Sequence, residues 1–194
     1  GNSSKTFANV LKMLECEEML LHKILDMLTD ISIDYLNKQI ESGIDVAMIF
    51  DTWGSLLNDE QYEKFSLRYI NKIKNGISNQ DIPLIYYVRE TGNKIKAIKN
   101  LEIDVLGIDS TTDIGVIKKQ IGNKFALQGN LDVNILKKDQ SDIIKAIKHT
   151  LNSYGSKSGH IFNLGTGITP DINPDKVKML IDNLANISSK FNVK

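Results

Sequence analysis

Asp45-Val-Ala-Met-Ile-Phe-Asp-Thr-Trp-Gly54 contains an unbroken apolar run, Val46 to Phe50, that stops at Asp51, Thr52, Trp53 and Gly54. A strand buried on both faces reads as such a run. Polar groups gathered where the strand ends are the raw material of a ligand site in α/β proteins. The same grammar recurs four times. Ile82–Val88 leads into Arg89-Glu-Thr-Gly92, and Asp104–Ile108 into Asp109-Ser-Thr-Thr112. Lys124–Leu127 leads into Gln128-Gly-Asn130, and His160–Phe162 into Asn163-Leu-Gly-Thr-Gly167. Strands are therefore expected near 45–51, 82–88, 104–109, 124–128 and 160–164.

Helical patterns lie before and between these segments. Residues 6–15 carry Phe7, Val10, Leu11 and Leu14 on one side. A longer helix over about 17–41 repeats Leu20, Ile24, Leu28, Ile31, Tyr35 and Leu36 at three- and four-residue steps, the period of a buried face. Gly43 stands where it should stop. Asn58-Asp-Glu-Gln61 reads as a capping box opening a helix that closes at Gly76. Further helices are expected over 94–100, from Asp113 to Gly122, and over 141–153 before Gly155. The last begins at Pro174, with Asn173 as N-cap.

Strand–helix alternation predicts a parallel α/β sheet with helical crossovers. The compact spacing suits a (β/α) barrel or a doubly wound sheet. Five βα units do not close an eight-stranded barrel. The chain is either an open sheet or a barrel without its first three units. A helix ahead of the first strand suits a crossover from an earlier strand.

The 194 residues balance 24 Lys and Arg against 24 Asp and Glu. Zero net charge gives no global support for nucleic-acid or anionic-membrane binding. The single cysteine, Cys16, excludes an internal disulfide framework and a cysteine-based zinc site, and points to a cytoplasmic protein. No apolar run approaches the roughly 20 residues of a membrane helix. The opening Gly-Asn-Ser-Ser-Lys has no signal-peptide core and no initiator Met, as expected of a trimmed chain or a fragment.

The strand ends offer Asp51, Thr52, Arg89, Asp109, Thr111, Gln128, Asn130, Asn163 and Thr166, which converge on one mouth if the fold is a barrel. Each has a plain alternative as a loop residue or helix cap, above all Asp109, Thr111 and Asp113. Asp51 and Asp109 are a candidate carboxylate pair. Gly165-Thr-Gly167 lacks the third glycine and the following helix of a dinucleotide fingerprint. Its glycines suit tight turning or close backbone approach to a ligand. His22, His149 and His160 lie away from strand ends, so none is expected to act as acid or base. No metal-ligand spacing, nucleophile elbow or phosphate loop appears.

Several motifs together resemble the uroporphyrinogen decarboxylase family, in that family's order and spacing. They are Met48–Gly54, Gln61–Leu67, Leu106–Asp113, Ala126–Asp132 and His160–Gly165. Gly1–Phe7 is similar to the segment after the family's Tyr-Met-Val-Glu-Gly motif. The resemblance implies the C-terminal five βα units of an eight-stranded TIM-type barrel, with the N-terminal three absent. It implies a lyase that removes carbon dioxide from the four acetate side chains of uroporphyrinogen III, giving coproporphyrinogen III in haem synthesis. No cofactor and no metal are implied, and a homodimer is.

Carried over residue by residue, Thr52 matches the Ser/Thr position that contacts substrate, and Phe50 lies beside it. Thr166 occupies the place of a substrate-binding histidine in the family's Leu-Gly-His-Gly loop. Thr can hydrogen-bond a carboxylate, but it carries no positive charge. Arg89 falls where Lys is usual, Ser110 where Trp is, Ser55 where a second Gly is, and Val133 where Pro is. The family's aspartate, arginine-rich segment and tyrosine fall upstream of Gly1. No catalytic residue is therefore expected within this stretch, and the stretch alone is expected to be inactive. The alternatives are a porphyrinogen-binding paralogue of impaired activity and a corrinoid-linked methyltransferase of the same superfamily.

Overall fold

The five apolar segments pair in the order in which they occur. In the computed structural model, which describes residues 6–189 and 191, they are β1 (Ala47–Asp51), β2 (Leu84–Val88), β3 (Val105–Gly107), β4 (Ala126–Leu131) and β5 (His160–Leu164). They form one sheet of order β1-β2-β3-β4-β5. From β2 to β5 neighbours run parallel, with Tyr86 opposite Leu106, Leu106 opposite Leu127 and Gln128 opposite Ile161. A doubly wound sheet reverses its strand order at a switch point. This sheet does not, so its topology is that of consecutive units of a (β/α) barrel. Residues 1–5, which carry part of one motif, lie outside the described residues.

Contacts divide the chain into two compact units, Gly1–Ala47 with Leu57–Ile82, and Met48–Leu56 with Pro83–Lys194. The first is helical, with α1 (Ala8–Cys16), α2 (Glu18–Glu41), α3 (Asp59–Tyr62) and α4 (Arg68–Gly76). The capping box forms as expected: Gln61 N–H donates to Asn58 Oδ1 at 2.9 Å, and Asn58 N–H to Gln61 Oε1 at 3.2 Å. Gly76, the last residue of α4, packs closely on α2, where a methyl would lie 2.5 Å from Ile33 Cδ1.

The expected buried face of α2 requires correction. Leu21, Thr29 and Leu36 are buried, and Leu21 joins Leu14 and Phe65 in a small core. Leu20, Ile24, Leu28, Ile31 and Tyr35 are exposed. The helix carries apolar residues on two sides, and helical period cannot say which side meets a neighbour. The same holds for Val10 and Leu11 of α1, which are exposed while Leu14 is buried.

The second unit holds the sheet with α5 (Thr91–Ile98), α6 (Ile114–Ile121), α7 (Gln140–Tyr154) and α8 (Pro174–Ser188). Leu84, Tyr86, Leu106 and Leu127 on strands, and Ile98, Ile117 and Ile143 on helices, are fully buried. Pro83 stays outside β2, having no N–H for a ladder. Leu84, the first ladder residue, donates its N–H to Asp104 Oδ2 at 2.8 Å. The fourth strand runs on to Leu131, past the expected end at 128, because Gly129 pairs with Phe162 and Asn130 with Asn163. Ladder partners on β5 outweigh the polar, turn-like composition of Gln128-Gly-Asn130. Asn173 caps α8 through Asp175 N–H at 2.8 Å, with Pro174 in the first turn, as expected.

His160 opens β5. Its Nε2 lies 2.8 Å from Gly129 O, and its ring stacks on Tyr154 at 4.5 Å. Burial pushes its pKa below the usual value of 6.5, with nearby Lys118 adding to the shift and the Gly129 carbonyl opposing it. The unfolded chain therefore takes up a proton that the folded chain resists. Stability from this site is fully present above about pH 6.5 and is lost as pH falls through the lower folded value. Urea unfolding from pH 7.5 downward is expected to show this loss, and His160→Gln to flatten it; an unchanged slope in the variant would remove His160 as the cause.

Candidate active site

A cavity of about 360 Å³ opens within the second unit at the C-terminal ends of the strands. Strand alternation selects its lining. On β1 and the residue after it, Met48, Phe50 and Thr52 share one face, and all three line the cavity. Tyr87 and Arg89 do the same from β2. Gly107 ends β3 and Ile108 follows it, Gln128 comes from β4, and residues 163–168 come from β5 and its loop.

Asp51 points the other way. Tyr86, on the opposite face of β2 from Tyr87, donates its hydroxyl to Asp51 Oδ2 at 2.8 Å. Gly54 closes the turn over the same carboxylate, where a methyl group would lie 2.3 Å from Asp51 Oδ2. Asp51 is thus engaged in holding its own loop.

Asp109 is 3% exposed and serves as a clamp. Its carboxylate accepts the N–H of Glu90 at 3.0 Å, the N–H of Thr91 at 3.3 Å and the hydroxyl of Thr111 at 3.0 Å. Asn130 Nδ2 donates to the carbonyls of Asp109 at 2.9 Å and Thr112 at 2.6 Å. Three expected site residues, Asp109, Thr111 and Asn130, therefore tie strand ends together, and none lines the cavity. The carboxylates of Asp51 and Asp109 are each engaged by their own partners, Asp51 by the Tyr86 hydroxyl and Asp109 by the Glu90 and Thr91 N–H groups, and neither lines the cavity.

The 163–168 loop is held against the end of β3. Gly165 N–H donates to Leu131 O at 2.8 Å, and Gly165 O accepts the Tyr87 hydroxyl at 2.9 Å. A methyl at Gly165 would lie 2.4 Å from Ser110 N, so only glycine permits this approach. Gly167 has no such neighbour. Thr166, between them, lines the cavity and is half-buried. Asn163 also lines it, and its Oδ1 accepts Leu164 N–H at 2.9 Å.

The lining is mostly apolar. Phe50, 67% exposed, sets its ring 5.8 Å from that of Tyr87, and Gln128 Nε2 lies 3.7 Å from Met48 Sδ. Arg89 stacks its guanidinium over Trp53, with Cζ 4.7 Å from the ring centroid. Burial pushes the Tyr87 phenol up, the charge of Asp109 adds to the shift, and neighbouring Arg89 opposes it.

Of the expected strand-end residues, Thr52, Arg89, Gln128, Asn163 and Thr166 meet at the cavity, with Phe50 beside them. Tyr87 and Met48 were not expected. Two-residue steps back from Arg89 and Thr52 reach them, so alternation is the signal that could have found them. No histidine lines the cavity: His22 stacks on Phe65 at 4.8 Å in the first unit, and His149 lies 3.4 Å from Asp113. Among the described residues no three His, Cys, Asp or Glu side chains cluster to hold a metal ion, and Cys16 is exposed on α1. No described helix is long and apolar enough to cross a membrane.

Residues 1–187 match the family model described as uroporphyrinogen decarboxylase (URO-D). The chain belongs to the uroporphyrinogen decarboxylase family. It is 41% identical over 194 residues to the uroporphyrinogen decarboxylase of Ruthia magnifica subsp. Calyptogena magnifica, covering 98% of this chain and 56% of that protein. It is 42% identical to that of Coxiella burnetii (strain Dugway 5J108-111), covering 98% of this chain and 54% of that protein. The chain spans about half the length of the curated relatives it matches. A methyltransferase from Methanosarcina mazei shares the fold, with a TM-score of 0.80 at 21% identity, covering 92% of this chain and 52% of that one. At that identity the likeness is one of fold alone.

Asp109→Ala strands the buried N–H of Thr91 and the partly buried N–H of Glu90 and is expected to cost about 3 kcal/mol of unfolding free energy in urea titration. Thr111→Val, which leaves the carboxylate and both N–H bonds, should cost about 1 kcal/mol. Equal losses in the two variants would contradict the clamp.

Proposed function

We infer that the protein to which this stretch belongs is a uroporphyrinogen decarboxylase, within a single barrel domain of which these five βα units are a part. The observation that carries the reading is the joint one. A chain of this family brings Phe50, Thr52 and Thr166 to one cavity at the C-terminal ends of parallel strands, where barrel enzymes work. Thr52 and Thr166 are the proposed hydrogen-bond donors to substrate carboxylates, and Phe50 the apolar contact beside them. These residues are proposed to take one side of the tetrapyrrole. The substrate is uroporphyrinogen III, and the products are coproporphyrinogen III and carbon dioxide.

In each cycle the bond between an acetate methylene and its carboxylate breaks. The electron pair stays on the methylene carbon, and a proton delivered there makes a methyl group. Such a carbanion-like centre needs a proton donor and electrostatic stabilisation. No cavity-lining residue is assigned as that donor. A cytoplasmic homodimer that needs no cofactor completes the reading.

The test is an assay of the protein at its full natural length with enzymatically reduced uroporphyrin III, following coproporphyrin after oxidation. Turnover is expected, and Thr52→Ala should lower kcat/KM by about 10-fold. The 194-residue polypeptide alone should give no product. Binding without turnover by the full-length protein would point instead to a porphyrinogen-binding paralogue, which Thr166 in the histidine's place would suit.

A further inference from the structure

Arg89 is the only side chain among the described cavity-lining residues that carries a full charge near neutral pH. Among the described residues no carboxylate lines the cavity with it. The carboxylates near the strand ends are turned to other work, Asp51 toward Tyr86, Asp109 toward the N–H groups of Glu90 and Thr91, and the exposed Glu90 toward Asn93, whose Nδ2 donates to Glu90 Oε2 at 3.2 Å. A half-buried cation in an otherwise uncharged, mostly apolar wall favours an anion in the cavity. The guanidinium is also held in place. It lies over the Trp53 ring, and Tyr87, two residues earlier on the same face of β2, is fastened to Gly165 O. Its planar fork suits two-point binding of a carboxylate. The loop that Tyr87 fastens carries Thr166, which has no charge to offer.

We propose that Arg89, stacked on Trp53, is the anchor for a substrate carboxylate in this cavity and supplies the positive charge that the Thr166 loop lacks. The proposal rests on the porphyrinogen reading above for the identity of the substrate, and on the cavity alone for the choice of a carboxylate. It makes Arg89 a binding residue, with Trp53 positioning it.

The experiment uses the full-length protein and two probes that do not react: uroporphyrin III, followed by fluorescence, and benzenehexacarboxylate, followed by calorimetry. Arg89→Gln is expected to weaken both by about 10- to 100-fold. Arg89→Lys keeps the charge but loses the fork and the stacking, and should weaken them less. Trp53→Leu should weaken them by about 3-fold. Raising salt should weaken binding by the wild type more than by Arg89→Gln. Unchanged binding in a folded Arg89→Gln would overturn the assignment, as would failure of the wild type to bind either probe. Arg89-dependent binding without any decarboxylation would support Arg89 and sink the enzyme reading. Turnover with binding indifferent to Arg89 would do the reverse.

Discussion

Four strand ends of the second unit depend on the buried carboxylate of Asp109 and the peptide that follows it. The carboxylate takes two N–H groups from the turn after β2 and the hydroxyl of Thr111 after β3. The Asp109 carbonyl takes Asn130 from β4, and Gly165 from the loop after β5 packs against the Asp109–Ser110 peptide. A buried carboxylate is tolerated only when its lone pairs are satisfied. Here each partner comes from a turn that would otherwise be a loose connection. The cavity keeps its form because the connections around it share one anchor.

That arrangement explains the division of labour among polar residues at the strand ends. Successive side chains point to opposite faces, so adjacent residues have different fates. Thr52 reaches the cavity while Asp51 meets Tyr86. Tyr87 reaches it while Tyr86 does not. The acidic groups are drawn into holding turns, which leaves a cavity wall with one positive charge and several hydroxyl and amide donors. Such a wall suits an anionic ligand with an apolar body.

Much of the fold was legible because buried parallel strands leave a strong mark. The run Val46–Phe50 and its four counterparts each became a strand, and Asn58 and Asn173 capped the helices they were expected to cap. Less legible were features set by neighbours distant in sequence. The end of β4 moved to Leu131 because β5 supplies partners for Gly129 and Asn130. The outward face of α2 misled because Leu20, Ile24, Leu28, Ile31 and Tyr35 have the same period as a buried stripe. In the cavity, Thr52, Phe50 and Thr166 came from family resemblance. Tyr87 escaped notice because β2 is an unbroken run of buried side chains in which composition marks neither face, so that only its two-residue step from Arg89 points to the cavity.

By itself the sequence determined the strand–helix alternation, the helix caps, the family and the set of polar residues available at the strand ends. Those depend on local periodicity, cap chemistry and motif order, all of which can be read along a chain. Only the tertiary structure decided which of those residues face a ligand and which hold the scaffold. That choice rests on the pleat, on register with neighbouring strands and on where buried hydrogen-bond donors find acceptors. Asp109 and Arg89 stand at equivalent strand ends. One is buried because three donors converge on it, and the other faces the cavity because an aromatic ring supports it there.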